Sequence, residues 1–221
     1  MSVFTDEHRR VADQIVAKYP NSRSATLPLL FLVQSIEGYV TDDGMREVAE
    51  ILGLTSAQVL ASASFYTMLK KHPQGEYLIS ICRNISCTHL GSRKVIQAAE
   101  ETLGIPAGST TDDGRFSLEA AECLGTCDGA PSMQINYEDF YKVTPDDVVD
   151  LIETLMNGEE VVSVRGERVK THKEIARETA LAGVRDNGHA HADTQRTVGG
   201  ESPPKDFSPG VRPPVTGGND A

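Results

Sequence analysis

Through residues 1–72 the apolar positions recur every three or four residues, the period of helices with one buried face. Val11, Ile15 and Tyr19 mark a first helix starting at Thr5. A second runs from about Ser24 to Glu37, with Pro28 tolerated near its first turn. Thr41-Asp42-Asp43 starts a third, whose stripe is Met45, Val48 and Leu52 and whose stop is Gly53. Thr55 and Ser56 cap a fourth, "AQVLASASFYTML". The pattern predicts a small antiparallel bundle of short helices, and it contains no catalytic constellation.

After "KKHPQG" the pattern changes. "EYLISIC", Glu76 to Cys82, is rich in β-branched and aromatic residues and predicts a buried strand. Gly91 to Gly104 predicts a helix closed by glycine, and "RFSLEAAEC" a second strand after the turn "DDG". Ser132 to Val143 predicts two further strands in a hairpin. Thr144 at the N-cap, Pro145 behind it, acids in the first turn and Gly158 at the end delimit a last helix. The order β-α-β-β-α over residues 73–158 fits an α+β sandwich of thioredoxin type. Residues 159–221 lose the core pattern. From about Asp186 they are rich in Gly, Pro, Asp and His, so the expectation is an extended, largely disordered C-terminal tail.

Composition narrows the class. The 221 residues are 39% hydrophobic and 24% charged, as in soluble globular chains, and carry a net charge of -11. That balance excludes nucleic-acid binding through phosphate neutralisation and docking on an anionic membrane through a basic patch. The most apolar stretch, Leu27 to Val33, is too short to span a bilayer, so no direct membrane insertion is expected. The charged N-terminus lacks the apolar centre of a signal peptide, which points to a reducing cytosol.

In that setting the placement of the cysteines is informative. All four lie in two tight pairs, Cys82 with Cys87 and Cys123 with Cys127, in the pattern C-x4-C-x35-C-x3-C. Each pair follows a predicted strand. If those strands are neighbours, both loops emerge at one edge and the four thiols converge. A disulfide framework is disfavoured by the compartment, and neither pair is the C-x-x-C of a dithiol oxidoreductase. Spacing alone leaves a structural zinc site and a [2Fe-2S] cluster open. The glycines and small polar residues of "CLGTCDG" and "CTHLGS" let backbone N–H groups approach the sulfurs, which tilts toward the cluster.

"CRNISCTHLGS", "AECLGTCDGAPSMQIN" and the helical "ASASFYTML" together resemble the thioredoxin-like [2Fe-2S] subunit of respiratory NADH:quinone oxidoreductase, complex I (the E subunit of the bacterial enzyme). The resemblance extends to about Gly158. It implies that Cys82, Cys87, Cys123 and Cys127 ligate one binuclear cluster, each pair on one iron. It implies electron transfer as the activity, with FMN and NADH bound by a partner flavoprotein subunit and other peripheral-arm iron–sulfur subunits nearby. The expected location is the cytoplasmic face of a bacterial plasma membrane, held there through the complex. Related subunits occur in NAD-linked hydrogenases and formate dehydrogenases. A zinc-stabilised scaffold without redox function is the contrasting reading. "RNIS" is more polar than the Thr/Pro-rich loop associated with the family.

Other residues fit blander roles. His89 lies two residues past Cys87, but four cysteines already complete a ligand shell. Arg83 and Arg93 are candidates to offset cluster charge. His189 and His191 form an isolated His-x-His in the tail, and Phe207, Val211 and Val215 are spaced by proline in a way that suits docking in a groove. Pro131 occupies the place where thioredoxin-like folds carry a cis-proline, so a cis Ala130-Pro131 bond is expected.

Overall fold

The computed structural model describes residues 2–184. The expectations for His189, His191, Phe207, Val211 and Val215 lie outside the described residues. Four helices come first: α1 (Asp6–Val16), α2 (Thr26–Glu37), α3 (Asp42–Leu52) and α4 (Ser56–Phe65). Thr5, Thr41 and Thr55 cap three of them, their hydroxyls accepting from the N–H groups of His8, Gly44 and Gln58. Helix α2 buries Leu29, Leu30, Leu32 and Val33, so it is enclosed on most sides. Ile15, Val48, Leu52 and Val59 pack around it. A Cβ at Gly44 would overlap a Val33 methyl, so glycine is what lets α3 cross α2 this closely.

The second part is built on a sheet ordered β2-β3-β1-β4-β5. In chain order come β1 (Tyr77–Cys82), α5 (Ile85–His89), α6 (Ser92–Leu103), β2 (Ser109–Thr110), β3 (Phe116–Ala121), β4 (Met133–Ile135), β5 (Glu138–Phe140) and α7 (Pro145–Met156). Strands β1 and β3 are parallel neighbours, with Tyr77 opposite Phe116 and Cys82 opposite Ala121. A parallel pair needs a crossover, and α6 supplies it, packing on both strands and on α7. Ile79, Ile81, Phe116, Leu118, Met133 and Ile135 form the core under the helices. Each such side chain contributes about 1.5–3 kcal/mol by leaving water. The β4–β5 hairpin turns through Asn136 and Tyr137, both at positive φ (48° and 71°), as the twist of a two-residue hairpin requires. Asn136 is buried. Its amide donates to the carbonyls of Glu76 and Lys170, and its carbonyl accepts from the Leu78 N–H.

The folded part does not stop at Gly158. Val161 and Val169 enter the sheet core, Val162 bridges Arg168, and the Asp139 carboxylate, itself buried, pairs with Arg165 at 3.1 Å. A further helix, α8 (His172–Leu181), then packs on α2, with Ala180 in the helical core. This corrects the expectation of an extended tail over 159–184. The physical reason is that α8 buries alanines, Ala176 and Ala180, which carry too little apolar surface to register as a stripe. Thr171 caps the helix reciprocally with Glu174, a signal the sequence does contain. The short α5 that carries Cys87 and the two-residue β2 are likewise additions to the predicted order.

Candidate metal centre

The parallel register of β1 and β3 decides where the cysteines go. Cys82 is the last residue of β1, and Cys123 lies two residues beyond the end of β3 on the neighbouring strand. Both chains therefore leave the sheet at the same edge. After Cys82 the chain turns into α5, whose middle residue is Cys87; Asn84 starts that helix by accepting the Ile85 N–H with its side chain. After Cys123, Gly125 at φ 82° reverses the chain, and a 3-10 turn begins at Cys127. Gly129 in that turn lies flat against Tyr141, where a Cβ would meet the ring at 2.5 Å. The Ala130-Pro131 bond is cis, as expected.

The four thiols line one cavity of about 290 Å³, together with Asn84, Ile85 and Ser86. All are free. They form two unlike pairs. Cys82 and Cys87 are each only 2% exposed and pack with Ala130 and Leu124. Cys123 and Cys127 are exposed, their sulfurs 3.8 Å apart.

Hydrogen-bond donors surround the sulfurs. The Gly125 N–H donates to Cys123 Sγ at 3.4 Å, and Ser132 Oγ lies 3.6 Å from Cys87 Sγ. Burial pushes the Cys82 thiol up, and the N–H groups of Asn84 and Leu124 offset only part of that. Burial also opposes ionisation of Cys87. There the Ser132 hydroxyl and N–H, with Cys82 adding, outweigh it and hold the thiol below its usual range. Cys127 is pushed up by its neighbour Cys123. The buried Thr126 hydroxyl in the same loop has no partner.

Comparison with known proteins bears on this arrangement. A family model described as thioredoxin-like [2Fe-2S] ferredoxin matches residues 12–156. The chain belongs to this family. It is 39% identical over 175 residues to the E subunit of NADH-quinone oxidoreductase from Mycobacterium bovis, covering 79% of this chain and 69% of that protein. It is 37% identical over 139 residues to NADH-quinone oxidoreductase subunit 2 of Thermus thermophilus, covering 62% and 77%. Among solved structures it is similar to a NAD+-reducing [NiFe]-hydrogenase in the air-oxidised state, at 24% identity and a TM-score of 0.48. That match covers 52% of this chain and 20% of the other.

The family supports a [2Fe-2S] cluster, and the residues present fit one. Four thiols face one cavity in two pairs, a donor set that suits two irons held by two thiolates each. The remaining candidates stand apart. His89 is exposed at the end of α5 and does not line the cavity. Arg83 is exposed and pairs with Glu122, and Arg93 is exposed on the first turn of α6. Ser132 and Thr126 carry no signal in the sequence; their place beside the cysteines comes from the tertiary fold. Among the described residues no single helix is long and apolar enough to cross a membrane.

Proposed function

We propose that this protein is the [2Fe-2S] electron-transfer subunit of an NADH:quinone oxidoreductase. The observation that carries the reading is the gathering of four free thiols, two by two, round one cavity at the edge shared by β1 and β3. Cys82 and Cys87 would hold one iron and Cys123 and Cys127 the other. Once bound, the cluster supplies one chemistry: it takes up and gives back single electrons.

The chain's own residues set the conditions for that exchange. The inner pair is fixed by packing, which preorganises half of the ligand shell. The N–H groups of Asn84, Leu124, Ser132 and Gly125 point at the sulfurs and offset negative charge there. The outer pair is exposed, so the cavity opens toward solvent or a neighbouring subunit. Ile85, 73% exposed on the rim, gives that opening an apolar edge from which a partner would exclude water.

The partner in this reading is the flavoprotein subunit that binds NADH and FMN. A hydride brings two electrons to a flavin at once, and a one-electron acceptor held nearby lets them leave singly. Other peripheral-arm iron–sulfur subunits complete the assembly, which holds the protein at the cytoplasmic face of a bacterial plasma membrane. Anaerobic purification followed by metal and acid-labile sulfide analysis tests the reading. Two irons and two sulfides per chain are expected for a cluster of this family, with visible absorption that bleaches on reduction. A colourless protein with one zinc per chain would reject it. Co-purification with a flavoprotein from the native membrane tests the assembly.

A further inference from the structure

The described residues contain two large hydrophobic cores that share no side chain. One gathers the N-terminal helices round Leu29, Leu30 and Val33; the other lies under the sheet round Ile79, Leu118 and Ile152. Among the described residues no helix of α1–α4 packs broadly on the sheet or on α6 and α7. Where the halves meet there is a cavity of about 330 Å³, its wall taking Glu37 and Tyr39 from the bundle, Gln74 from the linker and Gly114 from the sheet side. The linker, residues 66–76, is tied at each end. Gln34 bonds the Met68 carbonyl and the Lys70 N–H on the bundle side, and the Gly75 N–H donates to Ser117 Oγ on the sheet side. One linker running past a cavity is a hinge unless a second connection closes it.

Residues 159–184 belong to both halves. Val161 and Val169 are buried in the sheet core, and the Val169 N–H donates to the Val161 carbonyl. The Val164 N–H donates to the Asp139 carbonyl of β5, and the Lys170 carbonyl accepts from the Asn136 amide. The His172 N–H donates to the Glu76 carbonyl just ahead of β1. One residue later the partners change. Lys173 Nζ donates to the Ile36 carbonyl in the last turn of α2 at 3.1 Å, and its Cε lies where a Cβ on Gly38 would meet it at 3.2 Å. From there the chain packs on the helical core: Ala176 and Ala180 are buried, and Leu181 and Val184 lie against the bundle. All of this falls outside the residues that the family model matches.

We propose that residues 159–184 are a strap that locks the helical bundle to the sheet carrying the four cysteines, so that the two cores move and open as one unit. With both connections in place, neither half can swing about residues 66–76 unless α8 leaves α2 or the Val161–Val169 segment leaves the sheet. Alanine suits the bundle end, because its short side chain lets α8 lie close against α2. The lock does not depend on what the thiols hold. On the electron-transfer reading above, it gives a partner that grips the bundle one fixed distance to the cysteine edge.

The test uses the full-length protein with spin labels on unnatural amino acids at Glu50 in α3 and Lys94 in α6, both exposed and both distinct from the cysteines. Pulsed electron resonance is expected to give one narrow distance distribution between them. Native-state hydrogen exchange should show the slowest amides of α2 and β1 opening with a shared free energy. A short Gly/Ser insertion between Lys170 and Thr171 slackens the strap while leaving both of its anchors. It should broaden the distribution and separate the two sets of amides by roughly tenfold or more in exchange rate. Ala180→Asp, which undocks α8, should do the same. If the insertion also strips α8 of protection, the strap is released rather than slackened and the same broadening is expected. A broad distribution or unequal opening in the wild-type protein would overturn the proposal, as would an insertion variant as narrow as the wild type. The wild-type measurements need no substitution in the strap, so they decide even if the variants fold poorly.

Discussion

The two ends of strand β1 handle buried polar groups in opposite ways. At its C-terminal end Cys82 and Cys87 are buried but supplied with donors: Asn84, Leu124 and the hydroxyl and N–H of Ser132. At its N-terminal end His172 is equally buried and has no partner for its ring. For Cys87 the donors outweigh burial and favour the charged thiolate. For His172 burial stands unopposed and favours the neutral ring. Burial alone therefore does not decide the charge state of a side chain here; the local supply of hydrogen bonds does.

The sharpest way to break the comparison is to remove thiols from the two cysteine pairs. Alanine at any of the four positions should abolish stoichiometric iron, measured by metal analysis. The apoprotein should then separate the pairs. Cys82→Ala or Cys87→Ala should lower its unfolding free energy by about 1 kcal/mol or more through a core void, whereas Cys123→Ala or Cys127→Ala should leave it unchanged. Equal losses in denaturant unfolding would show that the outer pair is as structural as the inner.

Asn136 links the histidine end to the hairpin. Asn136→Ala strands the Leu78 N–H and the Lys170 carbonyl, leaves the Glu76 carbonyl with only the His172 N–H, and places alanine at positive φ. A loss of about 3 kcal/mol or more is expected in thermal or denaturant unfolding.

Acid should act on the histidine end. The folded-state pKa of His172, about 4, lies below its usual value of 6.5. Above pH 6.5 the ring is neutral in both states and the full stability is present. Below it the unfolded chain binds the proton first, so stability falls, by up to about 3 kcal/mol on reaching pH 4. In chloride buffers His172→Leu should flatten this slope, and an unchanged slope would place the acid sensitivity elsewhere. The smallest effect belongs to Ser132→Ala. Removing its hydroxyl from Cys87 Sγ should lower the reduction potential of the bound centre by tens of mV, measured by redox titration.

Much of this architecture is legible in the residues. Thr5, Thr41, Thr55 and Thr144 each begin the helix that they predict, because a cap is local chemistry that the sequence states outright. The runs around Ile79 and Leu118 are strands because both their faces are buried. The cysteine spacing points to the family, and the parallel register then places the four thiols together. What is not legible depends on neighbours distant in sequence. Helix α8 hides its contact face in alanines that matter only because α2 is there to receive them. Ser132 serves Cys87 across 45 residues, and the unpaired ring of His172 is a property of its surroundings rather than of its own segment.

The packing of α8 on α2 also fixes an order of events during synthesis. Lys173 and Ile36, which meet in the finished fold, are 137 positions apart. At bacterial or slower elongation rates the ribosome needs on the order of ten seconds to cover that distance. In the later part of that interval all four N-terminal helices have been made while the apolar flank of α2 waits for its cover. A nascent chain halted anywhere in the sheet region would display this flank to water, and it is there that a holding chaperone would find its grip.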